Sequence, residues 1–117
     1  MAAARHNLVI EQGVDFSLEV TLTDSTGSAI NLTNMTFSSK IKRSPETDPI
    51  KLNNTAISFT VNVTNASGGQ VTFSLTDEKT AALPGDNLIY DIFRTDSAGN
   101  KYRDLEGEIE VIERITD

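Results

Sequence analysis

The chain has 117 residues and a formal net charge of −7, which predicts one acidic domain spanning residues 1–117. It contains no cysteine, so disulfide bonds and thiolate zinc sites are excluded. Its one histidine, His6, excludes imidazole clusters and argues against His-based catalytic triads. An acidic chain without a basic patch is also a poor partner for nucleic acid.

The sequence leads us to expect neither a membrane helix nor a secretory signal. No apolar stretch approaches the roughly 20 residues that a membrane helix needs, and residues 1–6 lack the apolar segment of a secretory signal. We therefore expect no membrane partner, and a protein that is made and kept inside a cell or built into a particle assembled there. Residues 1–6 are expected to be a flexible start.

The first half of the chain reads as strands. Residues 7–10 are expected to be short and extended, and residues 14–23 alternate strictly between apolar and polar side chains, which predicts a half-exposed strand. Residues 24–27 form a turn. Residues 35–42 alternate again, and the proline-containing stretch 43–49 is expected to be a loop.

The second half continues the pattern with one interruption. Strands are predicted at 56–63 and 70–75, joined by the Asn- and Gly-rich turn 65–69. Residues 76–83 begin like a capped helix with acids in its first turn, which predicts one short helical turn that bridges two sheets.

The stretch 88–115 is the expected centre of the fold. Residues 88–93 are apolar except for Asp91, and a strand that is apolar on both sides is usually covered on both sides. The polar turn 96–100 predicts a hairpin with residues 101–106. Gly107 is expected to bend or bulge the chain before a further strand at 108–115.

These elements predict an all-β fold: an immunoglobulin-like antiparallel β-sandwich of seven to eight strands with one short helical turn near 76–83. A jelly roll or a small barrel is the alternative.

The acidic residues are compatible with two kinds of site, a calcium site and a glycosidase pair. Asp24, Asp86, Asp96 and Asp104 lie at turns or strand ends and could meet around Ca²⁺, but aspartate is also an ordinary turn residue, and that interpretation is preferred. No pair of carboxylates is singled out as a glycosidase pair. The sequence therefore predicts no enzyme, no cofactor, and no catalytic, cofactor-binding or metal-ligating residue.

The two arginines of the predicted hairpin, Arg94 and Arg103, are expected to face each other near Asp91 and Asp104. A cross-strand ladder of ion pairs is the preferred interpretation. The functional alternative is a polar patch at a subunit interface.

Four ordered pieces of the sequence resemble one family: small β-sandwich virion structural proteins of tailed bacteriophages, of tail, baseplate or fibre-attachment type, like the N-terminal domain of baseplate upper proteins. The pieces are Gln12-Gly13 with 16–20, Asp24 and Gly27; 30–34 leading to Ile41-Lys42; 80–85 with Tyr90-Asp91; and Thr95-Asp96 with Gly99, Arg103, Leu105 and 106–111. Residues 44–55 match nothing in the family.

The resemblance implies a non-enzymatic virion structural protein of the tail, baseplate, neck or fibre attachment, made in the host cytoplasm and acting by protein–protein assembly. Its partners would be other virion structural proteins and further copies of itself, as a trimer or hexamer. A capsid decoration protein and a carbohydrate-binding or adhesion module are the alternatives. The expected docking segments are residues 1–11, as an added strand, and the loop 43–55.

Overall fold

A computed structural model describes residues 4–115 as an all-β sandwich with one short helix. The elements are β1 (Ala4–Arg5), β2 (Leu8–Glu11), β3 (Phe16–Thr21), β4 (Thr36–Lys42), β5 (Lys51–Leu52), β6 (Thr55–Ala56), β7 (Thr60–Asn65), β8 (Gln70–Leu75), α1 (Asp77–Ala81), β9 (Asn87–Thr95) and β10 (Lys101–Ile112). Seven of these strands are four or more residues long, as predicted. In this part of the chain no helix is long and apolar enough to cross a membrane.

The larger sheet has five strands built around β9 and β10. These two form the predicted hairpin, β4 pairs antiparallel with the other side of β9, and β1 and β2 both pair parallel with β10. The smaller sheet has the order β3–β8–β7 and is entirely antiparallel. Period-two alternation turns one side of each sheet inward, where Phe73, Ile92 and Ile109 are almost completely buried.

The order of the main strands is compatible with the immunoglobulin-like prediction. Numbered along the chain, they lie in the orders second–fifth–fourth and third–sixth–seventh, as in immunoglobulin-type sandwiches. The first main strand, β2, pairs parallel with the last, β10, so the sandwich is not purely antiparallel. The immunoglobulin-like detail of this architecture stays a prediction.

The N-terminal segment differs from its predicted role. Ala4–Arg5 pair with Leu105–Glu106 of the same chain, so this part of the expected flexible start is a strand, whereas residues 1–3 lie outside the described residues. The predicted short strand at 7–10 is confirmed as β2. Within this chain β2 completes the edge of the larger sheet at β10, so residues 4–11 already occupy the place that an added strand would take.

The stretch expected to be a loop at 43–55 holds most of the hairpin β5–β6, which ends at Ala56, the first residue of the strand predicted at 56–63. Its turn residues, Asn53 and Asn54, both have positive φ, at 54° and 64°, which is the backbone of a type I′ turn. The chain after β4 also covers that strand's edge. Ile50 N–H donates to the Ile41 carbonyl at 2.8 Å, and the Ser58 hydroxyl donates to the Ser39 carbonyl at 3.0 Å.

The helix and the last strand refine two further predictions. Thr76 caps α1 by accepting a hydrogen bond from Lys79 N–H, and α1 connects β8 of one sheet to β9 of the other, as predicted.

Gly107 does not divide β10, which runs unbroken from Lys101 to Ile112 with its bulge between Arg103 and Leu105. Gly107 instead allows close approach of the N-terminal segment, since a Cβ there would collide with the His6 carbonyl.

Candidate interaction surface

Within residues 4–115, no second layer lies over the outward side of the larger sheet. Along β9 the side chains that point outward are Ile89, Asp91 and Phe93, and all three are only half-buried. We call the outward side chains in the three central rows of β1, β4, β9 and β10 the charged face. Its members are Arg5, Ser38, Lys40, Lys42, Ile89, Asp91, Phe93, Arg103, Glu106 and Glu108.

Strand register arranges the charged face in three rows across the sheet. The first row is Lys42–Ile89–Glu108, the second is Lys40–Asp91–Glu106–Arg5, and the third is Ser38–Phe93–Arg103. A shallow depression of about 390 Å³ lies over the first two rows. The rows place lysines on the β4 side, apolar groups on β9 and glutamates on β10.

The arginines of this face are partly neutralised. Arg103 lies 3.8 Å from Asp91 and 3.4 Å from Glu106, with its guanidinium 5.3 Å from the centre of the Phe93 ring. Arg5 lies 3.8 Å from both Glu106 and Glu108. These pairs are exposed and therefore weak.

The lysines differ from the arginines. Neither Lys40 nor Lys42 forms an ion pair with another residue in the range 4–115. The β4 side of the face therefore presents uncompensated positive charge.

Arg94 lies on the opposite side of the sheet from Arg103, contrary to the prediction that the two face each other. Arg94 Nε donates to Asp104 Oδ2 at 2.9 Å, and both side chains are only 6% exposed. Arg94 also contacts the Met35 sulfur at 3.4 Å and stacks 4.5 Å from the centre of the Tyr102 ring. The bulge beside Asp104 turns its carboxylate inward, so the predicted ladder divides into one buried pair and one exposed group.

Two of the four candidate calcium ligands serve their own turns. In both Asp24-Ser-Thr-Gly-Ser and Asp96-Ser-Ala-Gly-Asn, the aspartate Oδ1 accepts from the backbone N–H groups two and four residues later, at 2.9–3.1 Å. The hydrogen bond from the Thr26 hydroxyl is the main cause of the lowered pKa of Asp24, and the N–H of Asn100 is the main cause of the lowered pKa of Asp96.

The other two candidates lie elsewhere. Asp86 precedes β9 and Asp96 follows it, which separates them by about 30 Å at the usual rise per residue. Asp104 is paired with Arg94 in the interior. In the described range 4–115, no group of three or more metal-binding side chains comes together.

Two of the sequence pieces that carry the family resemblance touch each other. Thr80 in α1 is fully buried, and its hydroxyl accepts from Gly13 N–H and donates to the Val14 carbonyl, both at 3.0 Å. Gln12 Nε2 donates to the Leu83 carbonyl at 2.7 Å. These motif residues therefore join the start of the chain to the helix between the sheets, which is a structural role.

The outward side of the smaller sheet has a different chemistry, and we call it the hydroxyl face. Its rows are Ser17–Ser74–Thr60 and Glu19–Thr72–Asn62, with one charged residue among the six. The two outer faces of the sandwich are therefore unlike, and only one combines apolar and charged groups.

The sequence pattern did not single out the charged face as a site, although its signals were present. The alternation of residues 35–42 places Lys40 and Lys42 outward. The apolar residues on both sides of β9 indicate that the side with Ile89 and Phe93 packs against another layer. No protein-family model matches the chain, and no curated protein matches it either.

Proposed function

We propose that this chain is a non-enzymatic structural component of a tailed-phage virion, in the tail, baseplate, neck or fibre attachment, and that it acts by protein–protein assembly. The observation that carries the assembly role is the uncovered charged face. The ordered sequence pieces quoted above support its placement in a virion.

The composition of the charged face fits an interface between proteins. Interfaces are enriched in arginine and aromatic side chains at their centres and have polar rims. Here Phe93 and Ile89 occupy the middle strand, Arg103 packs against Phe93, and lysines and glutamates flank them. Two half-exposed large apolar side chains, rimmed by charged residues on one sheet face, also favour an interaction site there.

The other candidate functions have less support. A Ca²⁺-dependent sugar site needs several free oxygen ligands on neighbouring loops, whereas Asp24 and Asp96 each use a carboxylate oxygen within their own turn. A capsid decoration protein would use the same surface and would differ only in where the protein sits.

The test is incorporation of variants into particles made in the producing host. We expect the wild-type chain in purified particles and immunogold label at the tail. Ile89→Glu with Phe93→Glu should abolish incorporation. Thr72→Glu with Ser74→Glu, at half-buried outward positions of the central strand in the smaller sheet, is the matched control and should incorporate normally. Label on the head would indicate decoration, and absence of the wild-type chain from particles would overturn the proposal.

A further inference from the structure

We propose that the occupant of the charged face is a second copy of this chain, packed sheet against sheet about a two-fold axis that runs along β9. This inference rests on the proposed role in assembly and names one partner for it. It is carried by charge complementarity and by the position of the apolar residues.

The distribution of charge makes the charged face the place where two copies can meet. Four basic and three acidic side chains line its depression. The rest of the chain then holds six basic and fourteen acidic side chains. Two copies with a net charge of −7 each repel one another at most orientations, but not where these nearly neutral faces meet.

Rotation by 180° about an axis that lies between the two sheets, parallel to β9, pairs opposite charges. It moves the β4 side of one copy over the β10 side of the other and keeps each row in register. Lys42 then lies opposite Glu108 of the partner subunit, and Lys40 lies opposite Glu106 of the partner subunit. Because the contact is two-fold, each pairing occurs twice, as in isologous dimers generally.

The same rotation brings the apolar groups together. Ile89 and Phe93 lie on the axis strand, so each meets its own counterpart in the second copy. Asp91 also lies on the axis, and its Arg103 neighbour at 3.8 Å supplies the opposite charge. Two twisted sheets pack well in this aligned arrangement.

The edges of the larger sheet give a reason for face-to-face docking. The carbonyls of Ser39 and Ile41 on β4 already accept hydrogen bonds from Ser58 and Ile50. At the other side of the sheet, β1 and β2 pair with β10 and form the edge themselves, with two and four residues. An added strand would therefore have to displace the chain's own segments at β4, or would find only short strands at the other edge.

The size of the face predicts a weak dimer. Three strands about 4.8 Å apart and about seven residues long give a patch of roughly 330 Å² per copy, to which the two-residue β1 adds little. Standard stable interfaces bury about 800 Å² per partner. We therefore expect a concentration-dependent dimer, which is compatible with a hexamer of three dimers but not with a trimer built through this face.

A charge-swap experiment tests the pairing. Lys40→Glu with Lys42→Glu gives copies with acidic residues on both sides, and Glu106→Lys with Glu108→Lys gives copies with basic residues on both sides. Sedimentation equilibrium should show that each variant alone dimerises more than about tenfold more weakly than the wild type. A one-to-one mixture should restore a heterodimer, since each lysine side then faces a glutamate side.

The mixture also controls for folding, because only folded variants can form the heterodimer. The inference is overturned if the wild type stays monomeric up to millimolar concentration, if the separate variants dimerise like the wild type, or if the mixture stays monomeric while circular dichroism shows both variants folded. Incorporation into particles is measured separately, so loss of the dimer with normal incorporation would overturn this inference alone.

Discussion

Arg94 and Asp104 form a buried ion pair at 2.9 Å across the bulge between β9 and β10. Each side chain is 6% exposed, and Tyr102 and Met35 cover the guanidinium. We expect Asp104→Asn to lower the free energy of unfolding by about 3–5 kcal/mol, because it leaves a buried arginine without its counter-charge. Urea denaturation measures the change.

The exposed arginine of the same hairpin provides the control. Arg103→Ala removes exposed ion pairs and an exposed contact with the Phe93 ring, and should cost about 1 kcal/mol or less. If Arg94→Met with Asp104→Leu is as unstable as Asp104→Asn, the loss does not come from the unpaired charge, and this explanation is wrong.

Thr80 connects the helix to the segment after β2 through two hydrogen bonds. Thr80→Val keeps the shape but leaves the Gly13 N–H and the Val14 carbonyl without this partner, so we expect a loss of about 1–3 kcal/mol. Thr60→Val, at an exposed position of β7, is the matched control and should change stability by less than about 0.5 kcal/mol. Equal effects of the two substitutions in urea denaturation would contradict this role for Thr80.

The hydrogen bonds of Asp24 and Asp96 within their turns predict that the folded state loses stability at acidic pH. The pKa of each carboxyl is lowered in the folded chain by hydrogen bonds that favour the charged form. The stability that these two carboxylates add to the folded chain is therefore fully present above the unfolded pKa of about 3.9. It is lost as the pH falls through the lower folded pKa.

Thermal unfolding between pH 5 and pH 2 measures this effect. Asp24→Ala with Asp96→Ala should be less stable than wild type at pH 5, and the difference should shrink toward pH 2. Glu46→Ala with Asp48→Ala, both in an exposed loop, is the control for removal of two negative charges. A difference that stays constant over this range would argue against the carboxylate hydrogen bonds as its source.

The burial of Tyr90 predicts that the folded state loses stability at alkaline pH. Its hydroxyl donates to the His6 carbonyl at 2.5 Å, and burial raises the pKa of Tyr90 to about 12. The unfolded value is about 10, so the folded state should lose stability as the pH rises from about 10 to 12. Tyr90→Phe should be less stable at pH 7 and should lack this alkaline step. An identical alkaline profile in both proteins would assign the step to another group.

Residue patterns predicted the parts of the fold that rest on local periodicity. The alternation of β3, the hairpin of β9 and β10 and the cap of α1 are all confirmed, because each depends on neighbours in sequence. The hairpin β5–β6 was missed because its strands have two residues each and only Asn53-Asn54 marks its turn. The parallel pairing of Ala4–Arg5 was missed because a pair of residues far apart in sequence leaves no periodic trace.

The candidate surface was harder to predict for a related reason. The alternation Leu88, Tyr90, Ile92, Arg94 already indicates that Arg94 points to the core, but the bulge that turns Asp104 toward it has no signal in the sequence. Lys40, Lys42, Glu106 and Glu108 read as ordinary surface charges along the chain. Their opposition across one sheet appears only when the register of three strands is known.

Assembly of the chain with itself through the charged face is tested most directly by native mass spectrometry across a concentration series, with Ile89→Glu plus Phe93→Glu beside the wild type. We predict a wild-type dimer, or a hexamer built from dimers, that grows with concentration and is absent from the variant. A strict monomer, a trimer, or an oligomer that is unchanged in the variant would contradict the account.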